Sequence, residues 1–448
     1  MKGILCLLLA AAALLNARAS EPLELILISP HNPSIKVETE RAFSAWHRET
    51  YGQPVTLRWR ETGGGTSQML RTIHSEFAQT PETIGVDLFY GGGVDPHRDL
   101  QAAGLSAPFQ LPEALAAQIP PDLSGLPMSD PDGYWHGAAL SGFGILTNEV
   151  VRRIVDLPVA TEWEDLARPE MFSWVSSCDP RQSGSVLLIY EIILQTYGWE
   201  RGWGIIAGFS GNVRSFLKSA GSTAKAASVG DVAFAVAIDI YGWMQVAYAG
   251  ADRMSFALPT DGTVIGPDGI SLLRGAPHRE VAERFLIWVL SEPGQKLWML
   301  AKGQPGGAVK FDVNRMSILP GLYDELGAAT PVRVNPFRLK LGLEFDPDLS
   351  NQRRRILAGL LGTVFVDLHS SCRDCWQSLL ALPEGPLREN LIAEFKRPPL
   401  DEAQLLELSA EAWQDPISQN ELIIGWQRAA LARYEKLARQ AKEAASQP

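Results

Sequence analysis

No polar residue interrupts the run Val232 to Ile238 (Val-Ala-Phe-Ala-Val-Ala-Ile), and turn formers stand on either side of it, Gly230-Asp231 before and Gly242 after. A strand with one face in water alternates apolar and polar residues. One that is apolar throughout is covered on both faces, as in a parallel sheet layered between helices. The chain must therefore supply helices for both sides of a sheet. Polarity returns at Asp239 and Tyr241. Ligands of open α/β sheets collect beyond the carboxyl ends of the strands, which makes both side chains candidate ligand contacts. The plain alternative is the polar end of a core strand.

One arrangement recurs along the chain: a strand, a small hydroxyl-rich turn, then a helix. Leu23 to Ile28 reads as a strand, with His31 in the Ser-Pro-His-Asn-Pro turn after it; Pro33 and Ser34 open a helix that Gly52 stops. Val55 to Arg60 is a second strand, followed by Thr62-Gly63-Gly64-Gly65-Thr66-Ser67 and a helix from Gln68 to Phe77. Such a turn presents free backbone N–H groups and the positive end of the helix dipole, a setting for an anion, and Thr66 and Ser67 add hydroxyl donors. A plain capping turn is the alternative, and the Gly-Lys-Ser/Thr ending of a nucleotide-binding loop is missing. Val86 to Tyr90 closes on Gly91, Gly92 and Gly93, with Asp95 behind. Tyr134 to Ile145, containing Ser141, reads as a crossing to a second lobe. There the strand Trp174 to Cys178 is followed by Ser183-Gly184-Ser185 and an apolar helix to Tyr197. Ser219 to Ser222 is a third helix start. Gly269 to Leu273 is the return crossing, and His278 to Lys302 reads as one long packing helix.

At 448 residues the chain exceeds what one core fills, and two or three units are expected. Residues 1–19 have the form of a secretory signal: Lys2, an apolar stretch from Ile4 to Leu15, and Ala17-Arg18-Ala19 before Ser20. The expected product is soluble outside the cytoplasm. The formal net charge is −11, and loss of Lys2 and Arg18 makes it more negative, which disfavours nucleic acid or an anionic bilayer as partner.

Taken in order, these segments resemble the type II periplasmic solute-binding proteins of ABC importers, in their ferric-ion-binding-like branch. The match is carried by the strand before His31, the glycine-rich turn before Gln68, Val86-Asp87-Leu88-Phe89-Tyr90, Asp132-Gly133-Tyr134-Trp135 through Ser141-Gly142, Thr161 to Leu166 with Asp179-Pro180-Arg181, and Asp261-Gly262-Thr263 through Ser291-Glu292-Pro293-Gly294-Gln295. The resemblance implies an α/β fold of two lobes with a hinged central cleft: lobe 1 from 20–138 completed by 268–310, lobe 2 from 139–267 with 311–345 packed on it. The expected ligand contacts are His31, Thr62, Gly64, Gly65, Thr66, Ser67, Gly92, Gly93, Ser141, Ser183, Gly184, Ser185, Asp239 and Tyr241. An inner-membrane ABC permease is the implied partner. Iron-binding members hold Fe(III) through a His, a carboxylate and two adjacent tyrosines, with a bound anion. Here His31 and Tyr241 resemble two of those metal ligands, whereas Ile240 takes the first tyrosine's place and Gly92 the carboxylate's. A hard cation wants anionic oxygen, so the expected cargo is a small oxyanion-bearing solute, or a metal carried with its anion, rather than bare Fe(III). No cofactor is expected apart from Fe(III) with such a synergistic anion.

Residues 346–448 form a helical extension beyond that pattern. Ile356, Leu357, Leu360, Leu361, Val364, Phe365 and Leu368 recur at helical spacing, the mark of a cap packed on the second lobe or of a docking module. In an exported chain, Cys372-Arg373-Asp374-Cys375 is expected to form a local disulfide. Cys178 and His369 are the nearest candidates to extend that pair to a zinc site. No hydrolase elbow or His-Glu-x-x-His motif occurs, so the chain is expected not to be an enzyme. The alternatives are an exported enzyme or thiol oxidoreductase on the same fold, and a ligand-sensing ectodomain partner.

Overall fold

In the computed structural model, which describes residues 22–260, 262–408, 413 and 415–446, the first lobe comprises β1 (Leu23–Ile28), α1 (Pro33–Tyr51), β2 (Val55–Trp59), α2 (Thr66–Gln79), β3 (Leu88–Tyr90) and α3 (Asp95–Ala102). The chain crosses on β4 (His136–Asn148) to β5 (Val175–Cys178), α4 (Gly184–Tyr197), α5 (Trp199–Asn212), β6 (Val213–Leu217), α6 (Ala220–Val229), β7 (Phe234–Ile238), α7 (Asp239–Ala249) and β8 (Met254–Ala257). It returns on β9 (Ile265–Leu273) to α8 (Arg279–Leu290) and α9 (Glu292–Met299). The extension contains α10 (Pro347–Leu361), α11 (His369–Leu380) and α12 (Pro416–Ala445), with shorter helices between. The leader read at residues 1–19 lies outside the described residues. No described helix is long and apolar enough to cross a membrane.

The strands run in the order β2-β1-β3-β9-β4-β7-β5-β6. Parallel pairing of β1 with β2 and β3, and of β5 with β6 and β7, marks the two lobes. The long strand β4, buried along its whole length, joins them. Its first half pairs antiparallel with β9, from Gly142 opposite Ile265 to His136 opposite Ile270; its second half pairs with β7 and β8. Two antiparallel strands running side by side between the lobes are the hinge. The apolar run that predicted a covered strand is β7, and Asp239 is the first residue of the helix that follows it.

The extension shares its apolar core with the second lobe, where Leu360, Leu361, Phe365 and Trp376 join Ile193, Trp203 and Phe209. Trp376 is fully buried, and its indole N–H donates to Asn212 Oδ1 at 2.8 Å. Truncating a side chain so placed typically costs about 3–5 kcal/mol, which makes the extension an integral part of the lobe.

Three expectations fail. The stretch 311–345, expected on the second lobe, packs on the first, where Val313, Met316, Ile318, Leu322 and Val332 share the core with Leu25, Leu27 and Phe43. The segment His278 to Lys302 is two helices, interrupted at Ser291, because Pro293 cannot donate to the preceding turn and serves instead in the first turn of α9. Cys372 and Cys375 are free thiols, not a disulfide. Both lie inside α11, where residues three apart hold their Cβ atoms about 5–6 Å from one another, beyond the ~4 Å a disulfide requires. Burial pushes both thiols up to about 12 in the seam against α12, where Cys372 meets Tyr434 and Cys375 the Ala438 backbone. His369 donates its Nε2 proton to the Val213 carbonyl at 2.9 Å.

Candidate functional site: the cleft between the lobes

Two helix starts confront each other across the cleft. Helix α2 begins at Gly65, which caps it without a side chain, and Thr66 is the first helical residue. Helix α4 begins at Ser183, whose hydroxyl accepts from the Val186 N–H and lies 3.2 Å from the Ser185 hydroxyl. A Cβ on Gly65 would lie 2.6 Å from the Gln182 carbonyl oxygen, and one on Gly184 would lie 3.8 Å from Thr66 Cβ. The lobes are therefore closed on one another, and both positive helix ends open on a common cavity of about 140 Å³. Its lining takes Thr66, Gly92 and Gly93 from the first lobe and Gly184, Ser185 and Tyr241 from the second. His31, Ser141 and Asp268 form the inner end.

The Gly91-Gly92-Gly93 turn is held in the left-handed region, and a Cβ at Gly91 would sit 2.8 Å from the His31 ring, one at Gly92 2.6 Å from Thr66. Glycine there lets both side chains stand against the loop. Behind the inner end lies a buried polar cluster. Arg315 donates through Nη2 to Asp268 and to Ser141 Oγ (3.3 Å), and Asp268 Oδ1 also accepts from the Gly93 N–H at 2.8 Å. Burial opposes the Asp268 charge, yet Arg315, helped by the Gly93 N–H, holds its carboxyl well below the usual range. His31 is held below 6.5 by burial, which outweighs its contact with Asp268, and Arg315 acts in the same direction. The imidazole is accordingly neutral. With the proton on Nδ1 it donates to Ser29 Oγ (2.9 Å), and Nε2 accepts from Arg315 Nη1 at 2.9 Å. Asp268 Oδ2, 3.2 Å from the same Nε2, is then bridged to it by the guanidinium.

Asp239, buried at the start of α7, accepts from the Ile240 N–H at 2.7 Å through Oδ1, while Oδ2 has no partner in the described structure. Burial pushes its carboxyl up to about 7 against the pull of Arg315. The Tyr241 phenol, also pushed up by burial to about 12, donates across the cleft to the Pro30 carbonyl at 3.2 Å.

The cavity thus gathers His31, Thr66, Gly92, Gly93, Ser141, Gly184, Ser185 and Tyr241. Thr62, Gly64, Gly65, Ser67, Ser183 and Asp239, expected there too, lie outside the lining. Gly64 precedes the helix and faces solvent, Ser67 points about 100° round the helix from Thr66, and Ser183 is turned inward as a cap. Sequence reading missed Arg98, Asp268, Arg354 and, behind them, Arg315. Asp268 left one signal, being the single charge in the otherwise uncharged crossing Ile265–Leu273. Apart from Asp95, which pairs with Arg354, the remaining wall is largely apolar, with Phe143, Leu188, Ile240, Val264 and Phe345.

Two α/β lobes hinged on paired strands and closed over a cavity make this a bilobal ligand-binding protein. The chain belongs to the bacterial extracellular solute-binding proteins, whose family model matches residues 85–317, and it is the solute-binding component of an ABC import system. It is 22% identical over 366 residues to the phosphoglycerate transport regulatory protein PgtC of Salmonella typhimurium, covering 80% of each chain. Its fold is similar to that of the periplasmic binding protein AfuA from Actinobacillus pleuropneumoniae, solved with exogenous fructose-6-phosphate bound (18% identity, 78% of this chain and 100% of that one, TM-score 0.62). Iron-bound HitA from Pseudomonas aeruginosa is similar too (19% identity, 76% and 100%, TM-score 0.56).

Proposed function

We propose that the protein captures a small phosphate-bearing organic anion in the periplasm and delivers it to an inner-membrane permease, as a monomer and without turning it over. The observation that carries this reading is the convergence of the α2 and α4 N-termini, with the Thr66 and Ser185 hydroxyls, on one enclosed cavity that also receives Arg98 and Arg354. Each helix end favours an anion by about 0.3–2 kcal/mol, and a charge-assisted hydrogen bond adds about 1.5–3 kcal/mol, so a handful of them reaches micromolar affinity after the costs of ordering. The cavity is close in size to one of ~150 Å³ that holds benzene, which suits a three-carbon phosphoester in this closed arrangement better than a hexose phosphate. The relationship to a phosphoglycerate transport regulatory protein and the likeness to AfuA support the same class.

Fe(III) fits the donor set poorly. His31 Nε2 is taken up by a guanidinium, which also repels a cation, and Tyr241 is a neutral phenol engaged with Pro30. A side chain in place of Gly92 would strike Thr66. Thiol chemistry is disfavoured because Cys372 and Cys375 are buried and protonated at neutral pH.

Native mass spectrometry of freshly purified, undialysed protein tests the proposal, together with calorimetric titration by 3-phosphoglycerate, fructose 6-phosphate, inorganic phosphate and ferric citrate. A phosphoester is expected as the copurified mass and the tightest binder. Copurified iron with a visible tyrosinate band that Tyr241→Phe abolishes would overturn it. The relationship to a transport regulatory protein, together with a helical extension fused to the lobe, favours a second reading in which the loaded protein reports to a membrane sensor. Deletion that abolishes induction of uptake but spares uptake from a constitutively expressed permease would select that reading.

A further inference from the structure

Three consecutive arginines on α10 have three different targets. Arg353 is buried and anchors α10 to the second lobe through Glu191 of α4, at 2.7–3.0 Å over three contacts. Each following residue turns about 100° round the helix. Arg355 reaches the first lobe, pairing with Asp99 Oδ2 at 2.7 Å on an exposed rim. Arg354, between them in sequence, enters the ligand cavity. Its Nη1 lies 3.2 Å from Asp95 Oδ2, and its Nη2 would be 3.3 Å from a Cβ on Gly184, at the start of α4. Its side chain is only 17% exposed.

We propose that Arg354 is the solute-recognising cation of this binding protein, and that the C-terminal extension, which lies beyond the segment matching the solute-binding family, is part of the binding site. The inference rests on the phosphate-anion reading above. A guanidinium carries five donors in a planar fork suited to phosphate oxygens, and among the described residues Arg354 forms an ion pair with Asp95 through Nη1. Asp95 holds the fork over the α4 N-terminus, so that an oxyanion seated on Thr66 and Ser185 meets the remaining donors. Phe345 and Pro347, from the same extension, wall the cavity beside it. Because Arg353 locks α10 to the second lobe, the cation travels with that lobe and meets a solute bound to the first lobe only on closure. The extension thereby ties recognition of charge to closing.

The test is calorimetry with 3-phosphoglycerate on the full chain. Arg354→Ala is expected to weaken binding roughly 10- to 100-fold, the worth of a charge-assisted contact. Arg354→Lys should recover only part of that loss, because a point charge cannot engage two oxygens. Arg355→Ala, which removes an interlobe pair outside the cavity, should stay within about threefold. The second proton of a phosphoester leaves near pH 6, so wild-type affinity should rise between about pH 5.5 and 7.5, and Arg354→Ala should lose most of that rise. Unfolding curves and Arg354→Gln check that the fold is intact. If wild type binds 3-phosphoglycerate and folded Arg354→Ala and Arg354→Gln bind it within about threefold with the same pH dependence, the inference fails while the proposed function stands. If wild type binds no phosphorylated probe, the proposed function falls and the inference with it.

Discussion

Two arginines in this molecule, Arg315 and Arg353, are each 1% exposed, yet their surroundings differ in kind. Arg353 is saturated: every guanidinium nitrogen faces a carboxylate, from Glu191 on one side and Glu402 on the other. Arg315 has one carboxylate, Asp268, shares the rest of its donors with a neutral imidazole and a hydroxyl, and has an Nε without a partner in the described structure. Nearby, the Tyr90 hydroxyl and Asp239 Oδ2 also lack partners. Orphaned buried polar groups cost free energy and rarely persist in a purely structural cluster. The first cluster fastens the extension to the second lobe. The second stands behind the cavity between the lobes, where His31, Ser141 and Asp268 form part of the lining.

The largest expected effect breaks the saturated cluster. Arg353→Met leaves Glu191 buried without a counter-charge and should lower unfolding stability by about 3–5 kcal/mol, read from the urea midpoint. The double change Arg353→Met with Glu191→Leu should recover most of it, because an apolar pair of similar volume often replaces a buried ion pair without loss. A double variant as unstable as the single one would show that α10 is held by something other than this pair.

The unsaturated cluster should reveal itself through pH, and its two acids have opposite signs. Asp268, held low by Arg315, contributes stability that is present above the ordinary carboxylate range and lost as pH falls. Asp239 has a folded value of about 7 against an ordinary 3.8. Its contribution is fully present below about pH 4 and is lost as pH rises through about 7, amounting to at most ~4 kcal/mol. Asp239→Asn should therefore stabilise the protein at pH 8 relative to wild type and make no such difference at pH 4. A stability difference that stays constant from pH 4 to 8 would mean that Asp239 is ionised throughout.

The contrast also explains what a reader of the sequence sees. Helix starts were legible at Thr66 and Ser185 because small residues, hydroxyls and glycines cluster locally there, and local patterns dictate local structure. The lobes and their crossings were legible because unbroken apolar runs such as that of β7 need cover on both faces. Arg98, Arg315 and Arg354 gave no such signal. Arg354 is the middle one of three consecutive arginines, Arg98 stands beside Asp99 and Arg315 is a lone charge between Asn314 and Met316; nothing local distinguishes them from a solvated surface, and each is brought to the cleft by contacts across long sequence separations. The thiol pair misled because its spacing is shared by disulfide motifs and by one face of a helix, and only the helical periodicity running through it decides between them.

The smallest effects sharpen the picture inside the cleft. Thr66 and Ser185 line the cavity at the two helix starts, whereas Ser67 does not. Thr66→Ala and Ser185→Ala should each weaken 3-phosphoglycerate binding roughly tenfold, the worth of a hydrogen bond to a charged group. Tyr241→Phe removes a neutral hydrogen bond between the lobes, worth about 0.5–1.5 kcal/mol, and should shift affinity by no more than ~10-fold through the closed state rather than through the solute. Ser67→Ala should change it least, within about twofold, since its side chain points away from the anion. The order is what matters, and isothermal titration at one salt concentration reads it directly. If Ser67→Ala outranked Thr66→Ala, the anion would have to sit on the outer side of the α2 turn, away from Ser185, and the two helix ends would no longer share one ligand.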